Sequence, residues 1–136
     1  MISDSVRAFL AESPLAVLGT LRADGGIHQS VVYYAIDGDR LLISTEGNRT
    51  KAHNVLREQR ASLCVVGTSP PHPAVTIEGP ARVRTTGIAE DTTAVFARIT
   101  GTEEPLKEED LKAGNRVIIE ITVDHVYGIS HFETRT

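Results

Sequence analysis

The segment "STEGNRTKAHNVLREQR", residues 44 to 60, places Arg49 and Lys51 at the front of a helix that begins near Thr50. A helix N-terminus carries roughly half a positive charge, so a cation there costs about 0.3–1 kcal/mol unless an anion joins it. Free backbone N–H groups, the Thr50 hydroxyl and the two cations converge on one small volume, which suits a phosphate. The competing reading is that both side chains extend into solvent on a surface turn. Arg57 and Arg60, near the other end of the helix, need no ligand, because cations are favoured there.

Other chemistries lack their residues. His28, His53, His72, His125 and His131 form no HxxxH or CxxC-type grouping, so no metal site is expected. There is no GxSxG elbow, no GxxxxGK[ST] loop and no GxGxxG after a strand. No general acid or base stands out. Cys64, alone in "ASLCVV", reads as a small buried hydrophobe.

The net charge of −4 argues against a nucleic-acid binder, and its distribution is uneven. Arg49, Lys51, Arg57 and Arg60 stand against Glu58, whereas residues 103–112 are rich in Glu and Asp. A local basic site in an acidic chain suits a small anionic ligand better than a polymer. No apolar run approaches the roughly 20 residues of a membrane span, and "MISDSVRAFLAESPLA" does not read as a secretion signal. A cytoplasmic protein with no membrane partner is the expectation.

The elements that must position the basic site follow from periodicity and turn residues. "SDSVRAFLAE" predicts a helix with Ser3 or Ser5 as N-cap, ended by Pro14. "LAVLGTL", "IHQSVVYYAI" and "RLLIST" read as strands joined by turns at Asp24-Gly25 and Asp37-Gly38. In the second, alternation puts Ser30, Val32 and Tyr34 on one face and Val31, Tyr33 and Ala35 on the other, so one tyrosine is core and the other borders a groove. After the helix at about 50–58, whose inner face is Ala52, Val55 and Leu56, "ASLCVV" and "AVTIEGPARVRT" follow. Pro80 there marks an edge, a bulge or a sheet corner. A helix over "IAEDTTAVFARITG" stopped by Gly101, an acidic stretch and a final long strand "RVIIEITVDHVYGIS" complete the chain. Six strands with few helices predict one mainly β domain over 1–136, a closed or nearly closed antiparallel barrel.

The run from "PLAVLGTLRADGG" through "RLLIST" and "NRTKAHNVLREQRASLCVV", then "TIEGPARV" and "HVYGIS", resembles the pyridoxamine 5′-phosphate oxidase-like split β-barrel proteins. More narrowly it is similar to the branch that uses the deazaflavin coenzyme F420. The resemblance implies a six-stranded antiparallel split barrel, a homodimer and two cofactor sites between protomers. It places the ring against Ser30, Val31 and Val32, with Ser44 and Thr45 leading into a phosphate cradle of Arg49 and Lys51, and Thr50 and Asn54 are expected among the cofactor-binding residues. The partner's loop "SPPHPAV", carrying His72, and the tail near His131 close the site. The implied function is hydride transfer from reduced F420 to a small conjugated or electron-poor substrate. FMN-dependent oxidoreduction, or a non-enzymatic flavin- or tetrapyrrole-binding role, is the alternative.

Overall fold

The computed structural model describes residues 2–129. Helix α1 (Asp4–Glu12) is capped by Ser3, whose hydroxyl accepts from the Val6 amide at 3.3 Å. Strands β1 (Leu15–Leu21) and β2 (Ile27–Tyr33) pair in antiparallel register from Leu15↔Tyr33 to Leu21↔Ile27. Gly25, at φ 87°, makes the turn between them, where a side chain is disfavoured. Strands β3 (Ala35–Asp37) and β4 (Arg40–Glu46), helix α2 (Thr50–Glu58) and strands β5 (Arg60–Val66) and β6 (Ala74–Arg84) follow. Then come α3 (Ala89–Thr100), α4 (Glu108–Ala113), β7 (Arg116–Thr122) and β8 (His125–Ile129). None of the described helices is long and apolar enough to cross a membrane.

The sheet order is β2-β1-β5-β6-β7-β4-β3, with β8 also on β6. It is a curled antiparallel half-barrel of eight strands rather than the six expected, because two of the expected strands each break in two. The first break is at Tyr34, between β2 and β3. This side chain is fully buried, and its hydroxyl donates toward the carbonyls of Ser13 at 2.6 Å and Leu10 at 3.1 Å. Burial pushes the phenol up to about 12, although Arg98, 4.8 Å above the ring, opposes the shift. The anchored tyrosine therefore stays protonated, and the strand turns around it. The second break is at Val123–Asp124, where β7 gives way to β8. A Cβ on Gly79 would lie 1.9 Å from the Thr122 carbonyl oxygen, so β6 and the end of β7 approach as closely as glycine permits. Beside Gly79, Pro80 sits at the sheet corner where β6 leaves β5 and takes up β7.

The barrel interior is filled by Leu18, Leu41, Ile43, Leu63, Ile77 and Ile119, with Val55 of α2 against them. A second cluster, Leu42, Ile88, Val95, Leu111 and Ile118, lies between β4, β7 and the α3–α4 segment. Full burial of each large side chain is worth about 1.5–3 kcal/mol, so both clusters fix the helices that border the site. The later part of the acidic stretch forms α4, and Gly101 ends α3 at φ 79°.

Candidate functional site

Helix α2 begins as its sequence suggests, with Arg49 in the N-cap position at φ −77° and ψ 151° and no side chain capping the helix. Its first turn contains no acidic residue. The first amides of any helix have no partner within it, so here they point outward unclaimed by a side-chain cap. Among the described residues Arg49 reaches only Glu46, with Nε 3.3 Å from Oε1 and both side chains well exposed, a pairing worth little in water. Lys51 forms no salt bridge among the described residues. Its amine is pushed below the usual lysine range, first by burial and then by the charges of Arg49 and Arg116.

Arg116, the first residue of β7, pairs across the sheet with Glu46 of β4. Its Nη2 donates to Ser44 Oγ at 2.7 Å, and its guanidinium lies 5.5 Å over the Phe96 ring. Its Nε is buried, with no hydrogen-bond partner among the described residues. Three cations thus gather with one carboxylate, Glu46, at the mouth of a cavity of about 310 Å³. The cavity occupies the seam between β2 and β4. Val31, Val32 and Tyr33 form one wall, Ser44, Thr45 and Glu46 another, and Val95, Phe96 and Ile99 of α3 a third.

The structure brings together Val31, Val32, Ser44, Thr45, Arg49 and Lys51 from the residues expected at the site. Tyr33 takes the groove side and Tyr34 the core, as alternation requires. Thr50 is exposed at the tip without lining the cavity. Ser30 sits next to the wall, its Oγ buried and unpartnered. Asn54 is a correction: only 3% exposed, it donates from Nδ2 to Thr20 Oγ1 at 3.1 Å and accepts from Arg57 Nη2 at 3.0 Å. One turn below the tip, it braces α2 against β1. Arg57 shares that role, donating to the Leu21 carbonyl at 2.7 Å. His72 lies in the β5–β6 loop at φ 57°, its Nδ1 2.9 Å from the Gly67 carbonyl, and does not line this cavity in its own chain. His131 lies outside the described residues.

Arg116, Glu46 and the α3 wall were not anticipated. The Arg116 signal is a cation at the start of an apolar strand, and only the long-range register with β4 brings it to the site. A larger cavity, of about 560 Å³, lies at the β6 corner over Gly19, Gly79 and Pro80, rimmed by Glu78, Asp124 and His125. It contains none of the expected residues and no uncapped helix end, so charge rather than size identifies the candidate site. No three histidine, cysteine, aspartate or glutamate side chains group as a metal site among the described residues.

The sequence pattern of the pyridoxamine 5′-phosphate oxidase family matches residues 2–130. The chain belongs to this family. Several solved structures share its fold. A conserved hypothetical protein from Mycobacterium tuberculosis superposes with TM-score 0.78 at 22% identity, over 100% of this chain and 94% of that one. An F420 reductase gives 0.73 at 20% identity, over 92% and 98%. A heme binding protein from Mycobacterium smegmatis gives 0.76 at 19% identity, over 95% of this chain but 54% of the other, so the chain spans about half of that relative. Family members carry flavin or related cofactors, and the cationic tip of α2 fits the phosphate such a group presents.

Proposed function

We propose that the chain is an oxidoreductase that binds F420 through its phosphate at the N-terminus of α2 and transfers a hydride from the reduced form to a small conjugated or electron-poor organic substrate. The observation that carries this reading is the uncapped helix end with Arg49, Lys51 and Arg116 around it, opening directly into the seam cavity. An anion there offsets both the unfavourable dipole interaction of the cations and the desolvation of Lys51. When bound, the reduced deazaflavin supplies the hydride. The chain's own residues hold the phosphate, aim the ring along Val31 and Val32 of β2, and exclude water with Phe96 and Ile99; the cofactor carries the redox chemistry.

FMN is the second reading, because the same three cations suit a phosphomonoester. Haem is less favoured: among the described residues the cavity walls carry no histidine, cysteine or methionine to ligate iron.

The functional unit in this proposal is a homodimer. Val31 is 69% exposed, Leu15 46% and Val66 48%. The strand registers set Tyr33 beside Leu15, and Val31, Val17 and Cys64 in the next row, on the outer face of β2, β1 and β5. A second copy seated on this apolar face covers it and supplies the wall that a flavin-sized ligand needs beyond 310 Å³. Titrating the purified apoprotein with F420 and with FMN, followed by turnover of reduced F420 against quinones and unsaturated lactones, tests the proposal. Tight F420 binding with turnover supports it; tight FMN binding with no F420 affinity transfers the assignment to FMN.

A further inference from the structure

Three cations and one carboxylate leave the mouth of the seam cavity with a surplus of two positive charges, one more than the α2 tip needs for a singly charged phosphate. Arg49 and Lys51 belong to that tip. Arg116 reaches the cavity from a different element, β7, where Nη2 donates to Ser44 Oγ at 2.7 Å and Cζ lies 5.5 Å from the centre of the Phe96 ring. Its Nε is buried and unpartnered, and no carboxylate forms a salt bridge with its guanidinium among the described residues. A guanidinium placed in this way offers a directional, permanently charged donor set suited to an oxyanion.

Resting on the cofactor reading above, we infer that Arg116 is a specificity-determining residue that recognises a second negative charge on the ligand beyond the first charge of its phosphate. Two ligand chemistries provide it. A phosphomonoester carries both charges on one phosphate, and a phosphodiester with an acidic tail carries the second on a neighbouring carboxylate. Ligands with a single charge gain little from Arg116.

The charged groups that face it are Glu46 from β4 and Arg49 and Lys51 from α2, while the walls from β2 and α3 contribute no charged side chain. Among the described residues no histidine lines the cavity, so between about pH 5 and pH 7.5 the group that changes charge is a phosphomonoester's second ionisation, near pH 6.

The experiment titrates the parent, Arg116→Gln and Arg116→Lys with FMN, with the methyl ester of FMN, whose phosphate keeps a single charge, and with F420, at about pH 7.5 and about pH 5. At the higher pH, Arg116→Gln is expected to lose about tenfold in affinity for FMN or F420 and only two- to threefold for the methyl ester. Arg116→Lys, which keeps the charge, retains part of the preference. A loss confined to FMN that disappears at low pH identifies the phosphomonoester as the source; a loss for F420 at both pH values identifies a carboxylate. A purely structural role would shift the melting temperature and weaken all three ligands alike, and that result overturns the inference while leaving the cofactor reading intact. If Arg116→Gln does not fold, the parent alone decides: affinity for the methyl ester equal to that for both FMN and F420 overturns it. Failure of the parent to bind FMN and F420 at all removes both proposals.

Discussion

Helices α2 and α3 present the same problem at their N-termini and solve it in opposite ways. Neither has a side-chain cap from its own N-cap residue. At α3, Glu108 fills the place from outside: Oε1 accepts from the amides of Ile88 and Ala89 and Oε2 from Gly87, each at 2.9 Å. Glu90 and Asp91 in the first turn reinforce it. At α2 no carboxylate caps the amides among the described residues, and the positions where acids belong hold Arg49 and Lys51. In the proposed function, the chain closes one helix end with a three-bond carboxylate and keeps the other, open beside a cavity, for an external anion. On that proposal the open end binds, while the closed end fastens α4 to α3.

Breaking the closed end has the largest expected effect on stability. Glu108→Ala removes three charge-assisted hydrogen bonds and leaves the amides to water. It should lower unfolding free energy by about 2 kcal/mol, read by denaturant melts, with ligand affinity little changed. Converting the open end into a closed one sharpens the contrast. Arg49→Asp supplies the missing N-cap and should raise apoprotein stability by about 1 kcal/mol while cofactor affinity falls at least tenfold.

Arg57→Ala is expected to cost about 1 kcal/mol through its lost bonds to Leu21 and Asn54 and to leave affinity near the parent's, which makes it a control for binding and not for folding.

The smallest effect is on pH dependence. Burial, then Arg49 and Arg116, hold the Lys51 amine below the normal 10.5, so the unfolded chain retains this proton over a pH interval in which the folded chain has lost it. Stability should therefore rise with pH between the lowered value and 10.5. That rise should vanish in Lys51→Met, measured by melts across the alkaline range.

How far the sequence exposed these features depended on how local their causes are. The α2 boundaries, the Ser3 cap, the stop at Gly101 and the glycine turns were legible because each rests on residues within a few positions. The Tyr34 break was not, since it depends on carbonyls of α1 and its C-cap more than twenty residues earlier. The bend after Thr122 was hidden for the same reason, being set by Gly79 on another strand. At the site, Arg49 and Lys51 could be read from helix electrostatics, whereas Arg116 required the β4–β7 register. The burial of Asn54 was not legible, because its spacing from the tip says nothing of its direction: it points inward to Thr20.

If the α2 tip holds a phosphate, FMN and riboflavin, which lacks one, should bind the parent and Arg49→Ala/Lys51→Ala differently. The account predicts that the parent prefers FMN by roughly a hundredfold, and that this preference falls to severalfold in the double variant while riboflavin binding and apoprotein melting stay within error. An unchanged FMN-to-riboflavin ratio in the double variant would contradict it and return both cations to the solvent-exposed surface.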